Sequence, residues 1–157
     1  MDLVLCYIRE SFFVKHIEYK KMLDTGDTKK QSRRTHLCVE VKINNNRYYI
    51  PLRNNLGEAV RKFGRIGHSV PSSKRRNAGL DYRYALVIND DQYIERQTEI
   101  KIPNSQYRCI NNDLDSIQRE FEIYLKGFIK SVKKNRIEKE PLYRESSLIN
   151  FISEINN

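Results

Sequence analysis

Between Arg61 and Leu80 the sequence carries Arg61, Lys62, Arg65, Lys74, Arg75 and Arg76 and no acidic residue. A second basic group, Lys29, Lys30, Arg33 and Arg34, stands just ahead of a strand-forming run that opens at His36. Guanidinium groups grip phosphate oxygens in pairs and ammonium groups add point charge, so both groups are suited to a polyanion. The segment 61–80 also contains Gly64, Gly67, Pro71, Ser72, Ser73 and Gly79. That is the composition of a helix end running into a long surface loop. Such a loop can close over a single strand whose unstacked bases rest on aromatic rings, for which Tyr48, Tyr49, Tyr82 and Tyr84 are candidates, with Arg83 among them. The same tyrosines also suit ordinary strands, and a charge run also suits a solvated face. The whole chain has 29 Lys+Arg against 20 Asp+Glu, a formal net charge of +9, and this tips the balance toward nucleic acid.

Other chemistry has less support. Cys6, Cys38 and Cys109 are far apart with no C-x-x-C spacing, and His16, His36 and His68 are equally dispersed, so no metal site and no cofactor are expected. Cys6 and Cys38 lie in apolar segments and read as small buried hydrophobes of a reducing compartment. His68 is the best titratable candidate because it falls in the basic loop, although an ordinary surface histidine would look the same. No helix-turn-helix with a basic recognition helix is evident. No apolar stretch approaches the roughly 20 residues that span a bilayer. The first residues lack the basic start and cleavage site of a secretory signal, so the cytoplasm is the expected location.

The elements that must position these residues follow from periodicity. His36 to Ile43 alternates strictly, placing Leu37, Val39, Val41 and Ile43 on one face of a strand. Asn44, Asn45 and Asn46 make a turn, and Arg47–Arg53 returns with Tyr48, Ile50 and Leu52 inward, which makes a hairpin. Pro51 has no N–H and places that strand at an edge or a bulge. Leu3–Ile8 and 82–88 read as further strands, with a weaker extended stretch from Gln92 to about Ile102. Ser11 is a candidate cap for a short helix using Phe13, Ile17 and Leu23. The strongest helix starts near Asp113 and carries Leu114, Ile117, Phe121, Tyr124, Leu125, Phe128 and Val132 on one stripe. Lys126, Lys130, Lys133 and Lys134 lie on and just after it. A final helix is capped by Ser146 or Ser147 and uses Leu148, Phe151, Ile152 and Ile155. Together these predict a single α+β domain over residues 1–157, a mostly antiparallel sheet with helices packed around it and the clearest helices at the C-terminal end.

From Arg34-Thr35-His36-Leu37-Cys38 to Ile43, from Tyr48-Tyr49-Ile50-Pro51-Leu52 to Asn55, and again at Ala78-Gly79-Leu80-Asp81-Tyr82, the sequence resembles the ToxN/AbiQ/TenpN/CptN endoribonuclease toxins of type III toxin–antitoxin systems, the CptN branch in particular. The resemblance implies a compact α+β fold on a strongly twisted antiparallel sheet. It also implies metal-independent cleavage of RNA, often at adenine-rich sites, and inhibition by a small repeated RNA folded as a pseudoknot. ToxN-like members read Thr-Ser-Pro-Lys after the Pro-Leu pair, whereas this chain reads Arg53-Asn54-Asn55-Leu56. Asn54 cannot serve as a nucleophile or proton carrier as a serine might, so it is expected to orient the phosphate. Arg34 stands where other members place a lysine. Metal-free cleavage by ribose 2′-OH attack needs cations for the phosphorane and groups to move protons. Arg34 and Arg53 are the expected charge stabilisers, and His68 the titratable group. Lys29, Lys30, Arg33, Arg65, Lys74, Arg75, Arg76, Tyr82 and Arg83 are expected to bind RNA. Lys130, Lys133 and Lys134 are expected to form a second RNA surface in a closed assembly of alternating protein and RNA. A basic RNA-binding module without chemistry is the alternative.

Overall fold

The structure, a computed structural model, describes residues 3–32, 37–57, 66–99 and 101–156. Arg33, Arg34, His36, Arg61, Lys62 and Arg65 lie outside the described residues. The described strands are β1 (Leu5–Ile8), β2 (Leu37–Ile43), β3 (Asn46–Arg53), β4 (Gly67–Ser69), β5 (Gly79–Asp81), β6 (Leu86–Val87) and β7 (Ile94–Arg96). They form one antiparallel sheet in the order β4-β5-β3-β2-β1-β7, with β6 also beside β3. The helices are α1 (Glu10–Lys15), the single turn α2 (Thr28–Lys30), α3 (Asn104–Asn112), α4 (Leu114–Lys133), α5 (Pro141–Arg144) and α6 (Ile152–Ile155). This is the expected α+β architecture.

The β2–β3 hairpin forms as its alternation predicts, with Ile43 opposite Asn46 and Asn44 in the left-handed region at φ 55°. The apolar stripe of α4 covers one face of the sheet. Its Phe121 ring meets Tyr48 at 5.2 Å and Tyr82 at 5.6 Å between centroids, and Ile117, Phe121 and Phe128 are fully buried. Burying each such side chain contributes about 1.5–3 kcal/mol. The opposite face is buried as well, because Cys38, Glu40 and Tyr49 of the central strands are also enclosed. There Tyr49 donates to Glu40 at 2.8 Å and Arg96 pairs with Glu40 at 3.2 Å, so the polar atoms are satisfied.

Four sequence readings are corrected. β3 is interior rather than an edge. Arg47 turns both its N–H, bonded to Asn89, and its C=O, bonded to Ile88 N–H, toward β6. Alternation puts the Pro51 nitrogen on that same side, in the gap between the β6 pairing at Tyr48–Tyr49 and the β5 pairing at Leu52–Arg53. A proline is therefore accommodated where no partner needs its donor. The run 82–88 is not one strand, since Tyr82–Tyr84 makes a 3₁₀ turn capped by Asp81 before β6. The extended stretch after Gln92 shrinks to β7, and α3 follows, burying Gln106 and Ile110. Helix α1 starts after Arg9 rather than Ser11 and ends before Ile17, which is 54% exposed. Near the C-terminus Ser146 accepts from Leu148 N–H as a cap, and Leu148 and Phe151 pack in the core. Among the described residues no helix is long and apolar enough to cross a membrane.

Candidate active site

The site is built where β3 ends. Leu52 pairs with Leu80 and Arg53 with Gly79 on β5, while β4 pairs on the far side of β5. β4 and β5 approach so closely that a Cβ on Gly79 would overlap the His68 carbonyl, so this position requires glycine. Two residues on, the fully buried carboxylate of Asp81 gathers two guanidinium groups. It accepts from Arg53 Nη1 at 3.2 Å, from Arg83 Nε at 3.0 Å and Nη2 at 2.9 Å, and from the Arg83 backbone N–H at 3.1 Å. Both guanidinium groups also lie 5.3 Å from the Tyr84 ring centroid. Burial works against the Arg83 charge, but the hydrogen bond and attraction of Asp81 outweigh it and raise the group above its ordinary pKa. Arg53 is thereby held in one orientation while its side chain stays 30% exposed, which suits a fixed cation facing a ligand.

Arg53 faces an open cleft of about 340 Å³ that it lines with Leu23, Asp24, Lys30, Leu52, Asn54 and Asn55. Asp27 caps α2 by accepting from Lys30 N–H at 3.0 Å, and the Lys30 ammonium reaches Asp24 at 3.2 Å. From the loop between β4 and β5, Arg75 donates to Asn54 Oδ1. With its oxygen engaged, the Asn54 amide presents N–H donors, the polarity a phosphate needs. The turn carrying Arg75 is tight, because Ser72 and Arg75 exchange backbone hydrogen bonds at 3.1 and 3.2 Å and Ser72 Oγ accepts from Arg75 N–H at 3.1 Å. Lys74, Arg75 and Arg76 are all exposed on it. Lys74 and Arg75 also line a second cleft of about 380 Å³ with Ser72, Ser73, Pro103 and Gln106. Fixed cations and amide donors around an open concavity can bind a phosphodiester and stabilise negative charge as it develops.

The structure thus brings together Lys30, the adjacent pair Arg53 and Asn54, and Arg75, from three separate stretches of the sequence. Arg33, Arg34 and Arg65 lie outside the described residues. Lys29 lines a different cleft, with Arg9, Glu10, Ser32 and Glu95. Lys126, Lys130, Lys133 and Lys134 line a separate concavity with Ile129 on the second half of α4. Tyr82 cannot stack on a base. Its ring is fully buried against Phe121, and its hydroxyl donates to Glu120 at 2.9 Å. Tyr48 and Tyr49 are buried too, which leaves the half-buried Tyr84.

His68 is not a loop histidine. It sits on β4, where its Nδ1 meets Glu120 at 3.0 Å and its Nε2 meets Asp113 at 2.9 Å. Burial lowers its basicity, but the hydrogen bonds to Asp113 and Glu120 outweigh this and raise its pKa. With both ring nitrogens engaged by carboxylates, it has no free nitrogen to carry a proton at the Arg53 cleft. Sequence reasoning missed Asp81 as the group that orients Arg53, and missed the partners of His68. The Asp81-x-Arg83 spacing was the one local signal for the former.

Compared with solved structures, the chain matches AbiQ, a lactococcal anti-phage endoribonuclease belonging to the type-III toxin–antitoxin system, over 80% of this chain and 82% of that one. The TM-score is 0.56 at 14% sequence identity. The chain has the AbiQ fold. At that identity the likeness to AbiQ is one of backbone architecture, and the chemistry must be argued from the side chains described above. No protein-family model and no curated protein sequence matches the chain.

Proposed function

We propose that this chain is a metal-independent endoribonuclease toxin of a type III toxin–antitoxin system, on the CptN branch of that family. The observation that carries the reading is Arg53, locked by Asp81 and Tyr84 at the mouth of an open basic cleft, in a chain with the fold of AbiQ. The substrate is single-stranded RNA, with adenine-rich sites expected. Its scissile phosphate lies against Arg53, Lys30 and the Asn54 amide. The ribose 2′-oxygen loses its proton and bonds to phosphorus, the bond from phosphorus to the 5′-oxygen breaks, and that oxygen takes up a proton. The products are a 2′,3′-cyclic phosphate and a 5′-OH. Arg53, with Arg34 ahead of β2, stabilises the phosphorane charge, and Asn54 orients the phosphate. Arg75 holds Asn54 and, with Lys74 and Arg76, guides the flanking strand.

The same cleft accommodates a repeat-derived pseudoknot RNA, which inhibits by occupying it. The lysines on the second half of α4 offer each RNA unit a second contact, and such heterologous contacts can close into a ring. Expression in bacteria tests the reading. Growth arrest with RNA fragments ending in cyclic phosphate supports it. Tight binding that leaves RNA intact would select a non-catalytic RNA-binding module instead.

A further inference from the structure

Away from the Arg53 cleft, one cluster of side chains has the composition and spacing of a metal centre. We propose that His68, Cys109 and Asp113 bind a transition metal ion, with Zn²⁺ as the best chemical match, and that the ion fastens β4 to the corner between α3 and α4. The three donor atoms lie within 4.8 Å of one another. Cys109 and Asp113 are one helical turn apart, at the end of α3 and at the residue that joins it to α4, and His68 reaches them from β4. Cys109 Sγ is 3.6 Å from Asp113 Oδ2, and His68 Nε2 is 2.9 Å from the same oxygen. Tetrahedral zinc, with arms of about 2.1 Å to nitrogen and oxygen and about 2.3 Å to sulfur, needs ligand separations of about 3.4–3.6 Å. The sulfur–oxygen distance already fits, and the nitrogen–oxygen distance needs to open by about half an ångström.

An ion binding here displaces the Nε2 proton that bridges to Asp113, and the surroundings suit that exchange. Glu120 holds His68 Nδ1 at 3.0 Å, and Tyr82 donates to the same Glu120 oxygen at 2.9 Å. A carboxylate accepting the Nδ1 proton fixes the tautomer whose Nε2 lone pair faces the metal, as the outer partners of metal-bound histidines do. One imidazole, one thiolate and one carboxylate select a borderline-soft ion over Mg²⁺ or Ca²⁺, which prefer all-oxygen sites. The Asp113 side chain is 42% exposed and Cys109 is partly exposed, so an ion can enter and keep water in its fourth position. Cys6 and Cys38 are completely buried and lie outside the cluster, which provides an internal control. This proposal concerns ion binding and stability and is independent of the RNA reading.

The test titrates Co²⁺, then Zn²⁺, into the full chain after it has been stripped with a chelator. One equivalent of Co²⁺ should produce thiolate-to-cobalt charge-transfer absorption, which one equivalent of Zn²⁺ removes. Zinc should also raise the melting temperature. Cys109→Ser should abolish the absorption, whereas Cys6→Ala should leave it unchanged. Glu120→Gln keeps all three ligands and should weaken zinc binding about 10–100-fold. Asp113→Asn alters a partly exposed residue and serves if the serine variant fails to fold. No thiolate absorption in the wild type, its survival in Cys109→Ser, or unchanged zinc affinity in both Glu120→Gln and Asp113→Asn would overturn the proposal.

Discussion

Replacing Arg53 with alanine separates the proposed catalytic role from a structural one, because the consequences for folding and for chemistry differ greatly in size. The substitution removes one hydrogen bond to Asp81, at 3.2 Å, and one ring contact with Tyr84, at 5.3 Å. Asp81 is fully buried, but it keeps three donors from Arg83, at 2.9, 3.0 and 3.1 Å. Its charge therefore stays compensated. The folding cost should be about 1 kcal/mol, well short of the roughly 3–5 kcal/mol incurred when a buried charge loses its partner altogether. For a chain of this length that corresponds to a melting-temperature drop of about 2–4 °C. A charged donor lost from a developing phosphorane should instead lower the cleavage rate about 10²–10³-fold. Single-turnover cleavage of a labelled adenine-rich RNA at saturating protein, paired with thermal unfolding of the same preparation, reads both quantities. A near-wild-type cleavage rate would remove Arg53 from the site. A loss of rate accompanied by a collapse in melting temperature would mean that Arg53 acts through the fold.

Cleavage should persist in excess EDTA, because the proposed chemistry uses no metal; loss on chelation with recovery on adding Mg²⁺ would overturn that mechanism. Replacing Lys74, Arg75 and Arg76 together by alanine should weaken both substrate and antitoxin RNA and flatten the log–log salt dependence of binding by about 2, at about 0.7 per single-strand phosphate contact. Unchanged antitoxin affinity across a salt series would disprove a shared cleft. Lys133→Ala with Lys134→Ala should impair assembly with antitoxin RNA, seen by light scattering, and spare cleavage by the free protein. Asp91 is held below its ordinary pKa of 3.8 chiefly by its hydrogen bond to Arg47. Its contribution to stability should be present above about pH 3.8 and disappear as pH falls through the lowered folded value. The melting-temperature difference between wild type and Asp91→Asn should therefore shrink on acidification, and a difference that grows would contradict the assignment.

What the sequence made legible is what local pattern alone dictates. The stripe from Leu114 to Phe128 repeats at helical spacing with no competing signal, and Leu37–Ile43 alternates up to an asparagine turn, so both elements appear as expected. Helix α3 escaped notice because its segment is polar and only Gln106 and Ile110 are buried, too few to establish a period. The basic loop misled for a different reason. Its Gly67 and Gly79 read as turn residues, yet they sit in three-residue strands where the opposing carbonyl leaves no room for a Cβ. His68 consequently lies on a sheet, bound to Glu120 and Asp113, which are 52 and 45 residues further along the chain. Arg53 could be singled out through the family resemblance, but its orientation by Asp81 depends on β3–β5 pairing, which spacing does not encode.

In the proposed reaction the RNA is cut by attack of its own ribose 2′-hydroxyl on the adjacent phosphorus. The most direct measurement incubates the purified protein with a single-stranded adenine-rich RNA in EDTA and determines the chemistry of the new ends. Internal cuts should leave a 2′,3′-cyclic phosphate on one fragment and a 5′-OH on the other, and should slow about 10²–10³-fold in Arg53→Ala. Intact RNA bound by the folded protein, or fragments bearing 5′-phosphate and 3′-OH ends, would contradict that reaction.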